Sequence, residues 1–233
     1  MTGLEVKICG QTRPDEAVAC AEAGADAVGL VFHPASPRHL APARAREIVA
    51  ALPPDFPAVG VFAGETADAV ARIAEAAGLR LVQLHGGEPV ETVLALLARG
   101  FRVIKALKTT GPALLREAEA LPAGVGILVE CGKGPLPGGN AAGWDWGSAR
   151  PLGARRPFAL AGGLTPENAA AAVEAARPSA VDVSSGVEAA PGRKSLEKTR
   201  LLIQHLQAIR ITWPTASVFG SLRPKGTPCP VNR

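Results

Sequence analysis

Residues 157–188 read PFALAGGLTPENAAAAVEAARPSAVDVSSGVE, and this stretch decides the fold. A short apolar run, Pro157–Leu160, stops at a glycine pair, Gly162-Gly163. A proline then opens an alanine-rich segment of helical period, and a second apolar run, Ala180–Val183, stops at another small-residue turn, Ser184-Ser185-Gly186. Strand, turn, helix, strand in about thirty residues is one βαβ unit, whose two strands run parallel.

The same unit recurs along the chain. Strands are expected at Glu5–Cys9, Ala27–Phe32, Ala58–Phe62, Leu81–Leu84, Arg102–Ala106, Gly126–Glu130, Pro157–Leu160 and Ala180–Val183. Helices are expected between and after them, at 14–23, 42–51, 66–77, 89–98, 112–120, 145–151, 166–175 and 194–208. Thr165-Pro166 with Glu167, Ala41-Pro42 and Gly111-Pro112 read as helix starts with proline in the first turn. Eight strand–helix units with no strand outside the alternation predict an α/β fold, a closed (β/α)8 TIM barrel of residues 1–208. A doubly wound open sheet is the alternative. Residues 209–233 hold Pro214, Pro224, Pro228, Pro230, Gly220 and Gly226, too many breakers for a further helix. They read as an irregular or disordered Pro/Gly-rich extension in which Trp213, Val218, Phe219 and Leu222 can dock on the body.

Composition narrows the function classes. The chain has 233 residues, 47% hydrophobic and 20% charged, which suits one soluble domain with a sizeable core. No apolar run is long enough to span a bilayer and no signal peptide is readable, so a cytoplasmic protein without membrane contact is expected. The net charge of +4 comes from Arg210, Arg223, Lys225 and Arg233, in an extension without acidic residues, while the rest of the chain is balanced. A neutral domain with a basic end does not read as a nucleic-acid binder. Cys9, Cys20, Cys131 and Cys229 form no CxxC pair, and His33, His39 and His205 have no second ligand at metal spacing, so neither metal nor disulfide is expected.

In a parallel barrel the reacting groups collect at the carboxyl ends of the strands. The first strand ends at Cys9, the fourth runs into His85, the sixth ends at Glu130, the eighth holds Asp182, and Arg38 follows the second. A thiol, two carboxyls, an imidazole and a guanidinium suit acid–base chemistry on an anion. Lys7 shares the inward face of Cys9, where an ammonium favours a thiolate. Gly162 and Gly163 in one loop, and Ser184, Ser185 and Gly186 in the next, offer backbone N–H groups where barrels commonly bind phosphate.

Lys7-Ile8-Cys9-Gly10-x-Thr12, Gly24-Ala25-Asp26 followed by Gly29, Ser36-Pro37-Arg38, Gln83-Leu84-His85-Gly86, Asp145-Trp146, Ala161-Gly162-Gly163-Leu164 and Asp182-Val183-Ser184-Ser185-Gly186-Val187-Glu188 together resemble the phosphoribosylanthranilate isomerases, in order, from residue 6 to about 208. The resemblance implies a (β/α)8 barrel of tryptophan biosynthesis. Its reaction is the Amadori rearrangement of N-(5-phosphoribosyl)anthranilate to 1-(2-carboxyphenylamino)-1-deoxyribulose 5-phosphate, without a cofactor. It also implies Cys9 as base, a strand-six carboxyl as acid, Arg38 on the anthranilate carboxylate, and backbone amides of Gly163, Ser185 and Gly186 on the phosphate. Asp182 either bonds the sugar hydroxyls or orients a neighbour, and Lys7 and His85 join the substrate-binding set. The chain departs from the family pattern at Glu130, where aspartate is usual, and at Pro137-Gly138-Gly139-Asn140-Ala141, where Gly-Gly-Thr-Gly is usual. Two readings stay beside this one: another phosphosugar isomerase or epimerase barrel, and a weakened barrel that binds phosphorylated ligands. Monomer and homodimer read alike in the sequence.

Overall fold

The computed structural model describes residues 3–130 and 144–220. Eight parallel strands close into a barrel in the order β1 to β8: Glu5–Cys9, Ala27–Val31, Ala58–Phe62, Leu81–Leu84, Arg102–Leu107, Gly126–Val129, Ala159–Leu160 and Ala180–Val183. Closure is made by β1 on β8, with Lys7 beside Asp182, and this excludes the open sheet. The helices α1 to α8 span Pro14–Glu22, Pro42–Ala51, Ala67–Ala76, Val90–Ala98, Gly111–Glu119, Arg150–Gly153, Ala169–Ala176 and Leu196–Gln207.

Both faces of the strands are covered, so they read as continuous apolar runs rather than alternating ones. Outward residues such as Ile8, Leu30, Phe62, Val82 and Ile127 pack against the helix layer and are fully buried. At about 25 cal/mol per Å² of buried apolar surface, each such side chain contributes roughly 1.5–3 kcal/mol. None of the described helices is long and apolar enough to cross a membrane.

Three elements differ from the sequence reading. Between β6 and β7 the expected helix 145–151 is a 3-10 turn, Trp146–Ala149, followed by the single turn of α6. Pro166 does not open α7, which starts at Ala169, because Asn168 folds back on the glycine loop. Its side chain accepts from the Thr165 N–H at 2.8 Å and donates to the Gly163 carbonyl at 2.8 Å. A hairpin outside the barrel, β9 (Glu188–Ala190) with β10 (Arg193–Lys194), breaks the strict alternation, and its turn uses Gly192 at φ +77°. Cys131, Cys229, Leu222 and the altered stretch 137–141 lie outside the described residues.

Residues 209–220 form no helix or strand, but Trp213, Val218 and Phe219 pack against the body. Trp213 donates its indole N–H to the Pro178 carbonyl at 2.9 Å, and Phe219 is fully buried.

Candidate active site

β1 delivers Cys9 to the mouth of the barrel, beside Val31 and Val61. Its register partner on β2 is Gly29, and a Cβ there would lie 2.6 Å from the Cys9 sulfur and 3.0 Å from the Lys7 ammonium. Only glycine leaves room for both groups. Lys7, fully buried one inward position below, donates to Asp182 Oδ1 at 2.8 Å. Burial pulls its pKa down, but Asp182 and the Cys9 sulfur outweigh this, and the ammonium stays charged. For Cys9, burial pushes the thiol up, Lys7 pulls it down, Asp182 pushes it up and Lys194 pulls it down. Burial wins, so Cys9 rests as a thiol near neutral pH. The expected thiolate-favouring effect of Lys7 exists but is the smaller one.

Glu130, directly after β6, is buried beside His85 from the end of β4. His85 Nε2 lies 2.7 Å from Glu130 Oε1, and His85 Nδ1 lies 2.7 Å from the Gln83 amide nitrogen. With that amide donating, Nδ1 accepts, so the ring proton sits on Nε2 and faces the carboxylate. Lys108 stands 3.7 Å from the same carboxylate oxygen. The loop carrying His85 is pinned by Glu88, whose carboxylate accepts from the N–H groups of Gly64 at 2.8 Å and Gly86 at 3.0 Å and from Lys105 at 2.6 Å. Burial pushes the Glu88 carboxyl up, while Lys105 and the loop amides pull it below its ordinary value.

Two small-residue loops follow β7 and β8, at the same mouth of the barrel. Gly162 and Gly163 have φ of +90° and +70°, and a Cβ on Gly186 would sit 1.9 Å from the Leu164 carbonyl oxygen. The loops after β7 and β8 therefore touch backbone to backbone. The carbonyls of the first are tied down by Trp144 on Ala161 at 3.0 Å, Trp146 on Gly162 at 3.2 Å and Asn168 on Gly163. Ser184 spends its hydroxyl on the Cys9 carbonyl at 3.1 Å, which ties this loop to β1.

Arg38, buried, grips Glu188 with a two-bond fork, Nε at 2.8 Å and Nη2 at 2.7 Å. Lys194 from β10 joins the same carboxylate at 2.8 Å. Burial pushes Glu188 up, but the two cations outweigh it and hold it below the ordinary carboxylate range. The bidentate pair leaves Nη1 of Arg38 outside it.

The structure thus brings Cys9, Lys7, Asp182 and Ser184 together on one side and Glu130 with His85 on the other. Lys7, expected among the substrate-binding groups, is fully buried and forms an interior ion pair with Asp182. Asp182 accepts from Lys7 across the β1–β8 seam. His85 faces the Glu130 carboxyl. Sequence reading gave no role to Gln83, Glu88, Lys105, Lys108, Glu188 or Lys194. Gln83 and Glu188 stood inside quoted motifs, but Lys194 is placed by a three-dimensional hairpin that no periodicity announces.

The N-(5'-phosphoribosyl)anthranilate (PRA) isomerase family model matches residues 6–205. The isomerase of that name from Desulfatibacillum aliphaticivorans is 45% identical over 216 residues, which cover 93% of this chain and 99% of that protein. Among solved structures, phosphoribosyl anthranilate isomerase from Thermus thermophilus superposes with a TM-score of 0.80 at 41% identity, over 89% of this chain and 100% of that one. A phosphoribosyl anthranilate isomerase in complex with reduced 1-(o-carboxyphenylamino)-1-deoxyribulose 5-phosphate superposes with a TM-score of 0.78 at 38% identity, over 88% of this chain and 100% of that one. With the closed barrel and this match along nearly all of its length, the chain belongs to the N-(5'-phosphoribosyl)anthranilate isomerase family of tryptophan biosynthesis.

Proposed function

We propose that this cytoplasmic isomerase runs its Amadori rearrangement with Cys9 as general base and Glu130 as general acid. The observation that carries the assignment is that each proton handler is buried at a strand end with its own electrostatic partner, Lys7 for the thiol and His85 for the carboxyl. Glu130, protonated, gives its proton to the furanose ring oxygen; the C1–O bond breaks and the anilino nitrogen supplies the electrons, forming an iminium. Ionised Cys9 removes the C2 proton, and that electron pair neutralises the iminium as an enolamine. Tautomerisation adds a proton at C1 and removes one from the C2 hydroxyl, giving the ketose. No electron is gained or lost overall.

Arg38 receives the anthranilate carboxylate on its Nη1 side while Glu188 and Lys194 hold the guanidinium in plane. The phosphate rests on backbone amides of Gly162, Gly163, Ser185 and Gly186, with Ser184 holding that loop against β1. Barrel sites of this kind use the seventh and eighth loops for phosphate.

The test is turnover of freshly generated phosphoribosylanthranilate. Cys9→Ala and Glu130→Gln are expected to abolish it, and Glu130→Asp to retain it. Full turnover by Cys9→Ala removes the base assignment, and full turnover by Glu130→Gln removes the acid.

A further inference from the structure

The inner side chains at the amino end of the barrel are small. Ala180 is paired with Glu5 on one side and Ala159 on the other, Ala27 is paired with Lys7, and Ala106 and Ala161 belong to the same inner cluster. Barrel interiors are filled mostly by bulky branched residues, so this row of alanines leaves a hole. The hole is filled from outside the repeat. Phe219 and Val218 sit among Ala27, Val59, Leu81, Ile104, Leu128 and the alanines, in one cluster separate from the helix–sheet core.

The segment is held by an address. The Glu5 carboxylate accepts from the Ser217 hydroxyl at 2.6 Å and from the N–H groups of Val218 at 2.7 Å and Phe219 at 3.0 Å. The Gly220 N–H donates to Ser217 Oγ at 2.7 Å, and Gly220 has φ +78° with the Arg102 guanidinium packed where a Cβ would stand. Above the plug, the Lys7 ammonium lies 5.9 Å from the centre of the Phe219 ring, within reach of a cation–π contact. That ammonium holds Asp182 and faces Cys9.

We propose that residues 213–220 are the floor of the active site, and that Phe219 is a positioning residue which seals and seats Lys7 and, through Lys7, sets Asp182 and Cys9. The proposal rests on the reading of Cys9 as the base, and it places a working part beyond residue 205, where the family match stops. A void in place of the ring would have apolar side walls but the Lys7 ammonium at its top and the Glu5 carboxylate at its bottom, and these charged ends give an entering water its partners. Water at the ammonium weakens its hold on the thiolate without reaching the mouth side of Cys9. The other charges facing Cys9 stay as they are: Asp182 on β8, Arg38 after β2 and Lys194 on β10 with its partner Glu188.

The experiment compares the full chain with Phe219→Ala and Phe219→Leu. In the alanine variant kcat is expected to fall about tenfold with KM within about twofold, less than the hundredfold of a free 1 Å misplacement because Asp182 still grips Lys7. The pH profile of Cys9 alkylation, read by mass spectrometry of the Cys9 peptide, moves to higher pH, and exchange of the Lys7 ammonium protons with water, followed by nitrogen-detected NMR, speeds up. Leucine, which refills most of the volume, restores the pH profile and slow exchange. A melting temperature lower by on the order of 10 °C is expected for alanine in any case and decides nothing alone. Unchanged exchange and an unchanged pH profile in Phe219→Ala overturn the proposal, whatever the stability. Should Cys9→Ala prove active, the base reading falls, and Lys7 exchange still judges the floor.

Discussion

Gly29→Ala tests the geometry around Cys9 with one methyl group. A Cβ at position 29 meets the Cys9 sulfur at 2.6 Å, the Cys9 Cα at 3.0 Å and the Lys7 ammonium at 3.0 Å. Ordinary contact is about 3.5–4.0 Å, so the sulfur has to retreat by about 1 Å. The backbone cannot absorb this alone, because Cys9 and Gly29 are paired across parallel strands and the Gly10 and Gln11 N–H groups both donate to the Gly29 carbonyl. A new rotamer or a splayed strand end results, with an overpacking cost of about 1–3 kcal/mol. For a chain of this size that is a fall in melting temperature of roughly 2–10 °C. Displacing the base by about 1 Å costs about a hundredfold in kcat/KM. The control is Gly60→Ala, equally crowded at 2.9 Å from Phe62 and 3.0 Å from Leu79, but facing only apolar side chains. It is expected to lose similar stability and keep kcat/KM within about threefold, a tolerance far inside the ~100-fold expected at position 29. Thermal melts and steady-state isomerase assays on both variants decide the matter. A folded Gly29→Ala protein with kcat/KM within about threefold of the parent refutes the reasoning, since Cys9 would then tolerate displacement or not be the base.

Gly186→Ala, whose Cβ would meet the Leu164 carbonyl at 1.9 Å, is expected to part the loops after β7 and β8, proposed above to hold phosphate, raising KM at least tenfold and weakening competition by inorganic phosphate; a parental KM would show that the contact yields elsewhere. Cys9 ionises above its ordinary value because burial outweighs Lys7, so its alkylation in the free enzyme, followed by mass spectrometry of the Cys9 peptide, should speed up with pH through and past about 8.5; a rate that has levelled off by pH 7 would contradict that order of effects. Glu88 and Glu188 carry lowered pKa values against pairing cations. Their ionised forms therefore stabilise the fold above the ordinary carboxylate value of about 4.3, and this contribution is lost as pH falls through their lower folded values. Glu188→Gln strands Arg38 and Lys194 and should cost about 3–5 kcal/mol at pH 7, with a melting temperature flatter than the parent's below about pH 4.5; parallel curves would rule the linkage out.

The repeat was legible because each unit carries its own signal, an apolar run, a glycine turn and a helix, within about thirty residues. The placement of Cys9, Arg38, Asp182 and the glycine loops at or after strand ends was legible for the same reason, since a strand end is a local event. What stayed hidden are relations between distant residues. Lys7 meets Asp182 across 175 positions, Arg38 meets Glu188 across 150, and His85 meets Glu130 across 45. Each side chain was visible in the sequence, but its partner is chosen by barrel closure. That Phe219 can dock on the body was legible, but where it docks was not. Prolines and glycines around it read as an irregular or disordered extension, and the cavity that receives it is written as scattered alanines, residues that look like ordinary helix or strand filler.

Glu130 shows how such a partner changes the meaning of a substitution. Measured against the usual aspartate, one extra methylene extends the carboxyl by about 1.5 Å, enough to disturb a reacting group. In the fold that carboxyl is fixed at its far end, 2.7 Å from His85 Nε2, and His85 is fixed in turn by Gln83 and by the loop that Glu88 ties down. A longer side chain held at its tip can be as well placed as a shorter one held at its root. It follows that Glu130→Asp, which withdraws the tip, should break the His85 contact. Such a variant would keep a carboxylic acid at the mouth but lose the group that orients it, so kcat should drop modestly while KM holds. A rise in kcat for Glu130→Asp would show instead that the reach toward His85 is a handicap the chain carries rather than an adjustment it uses.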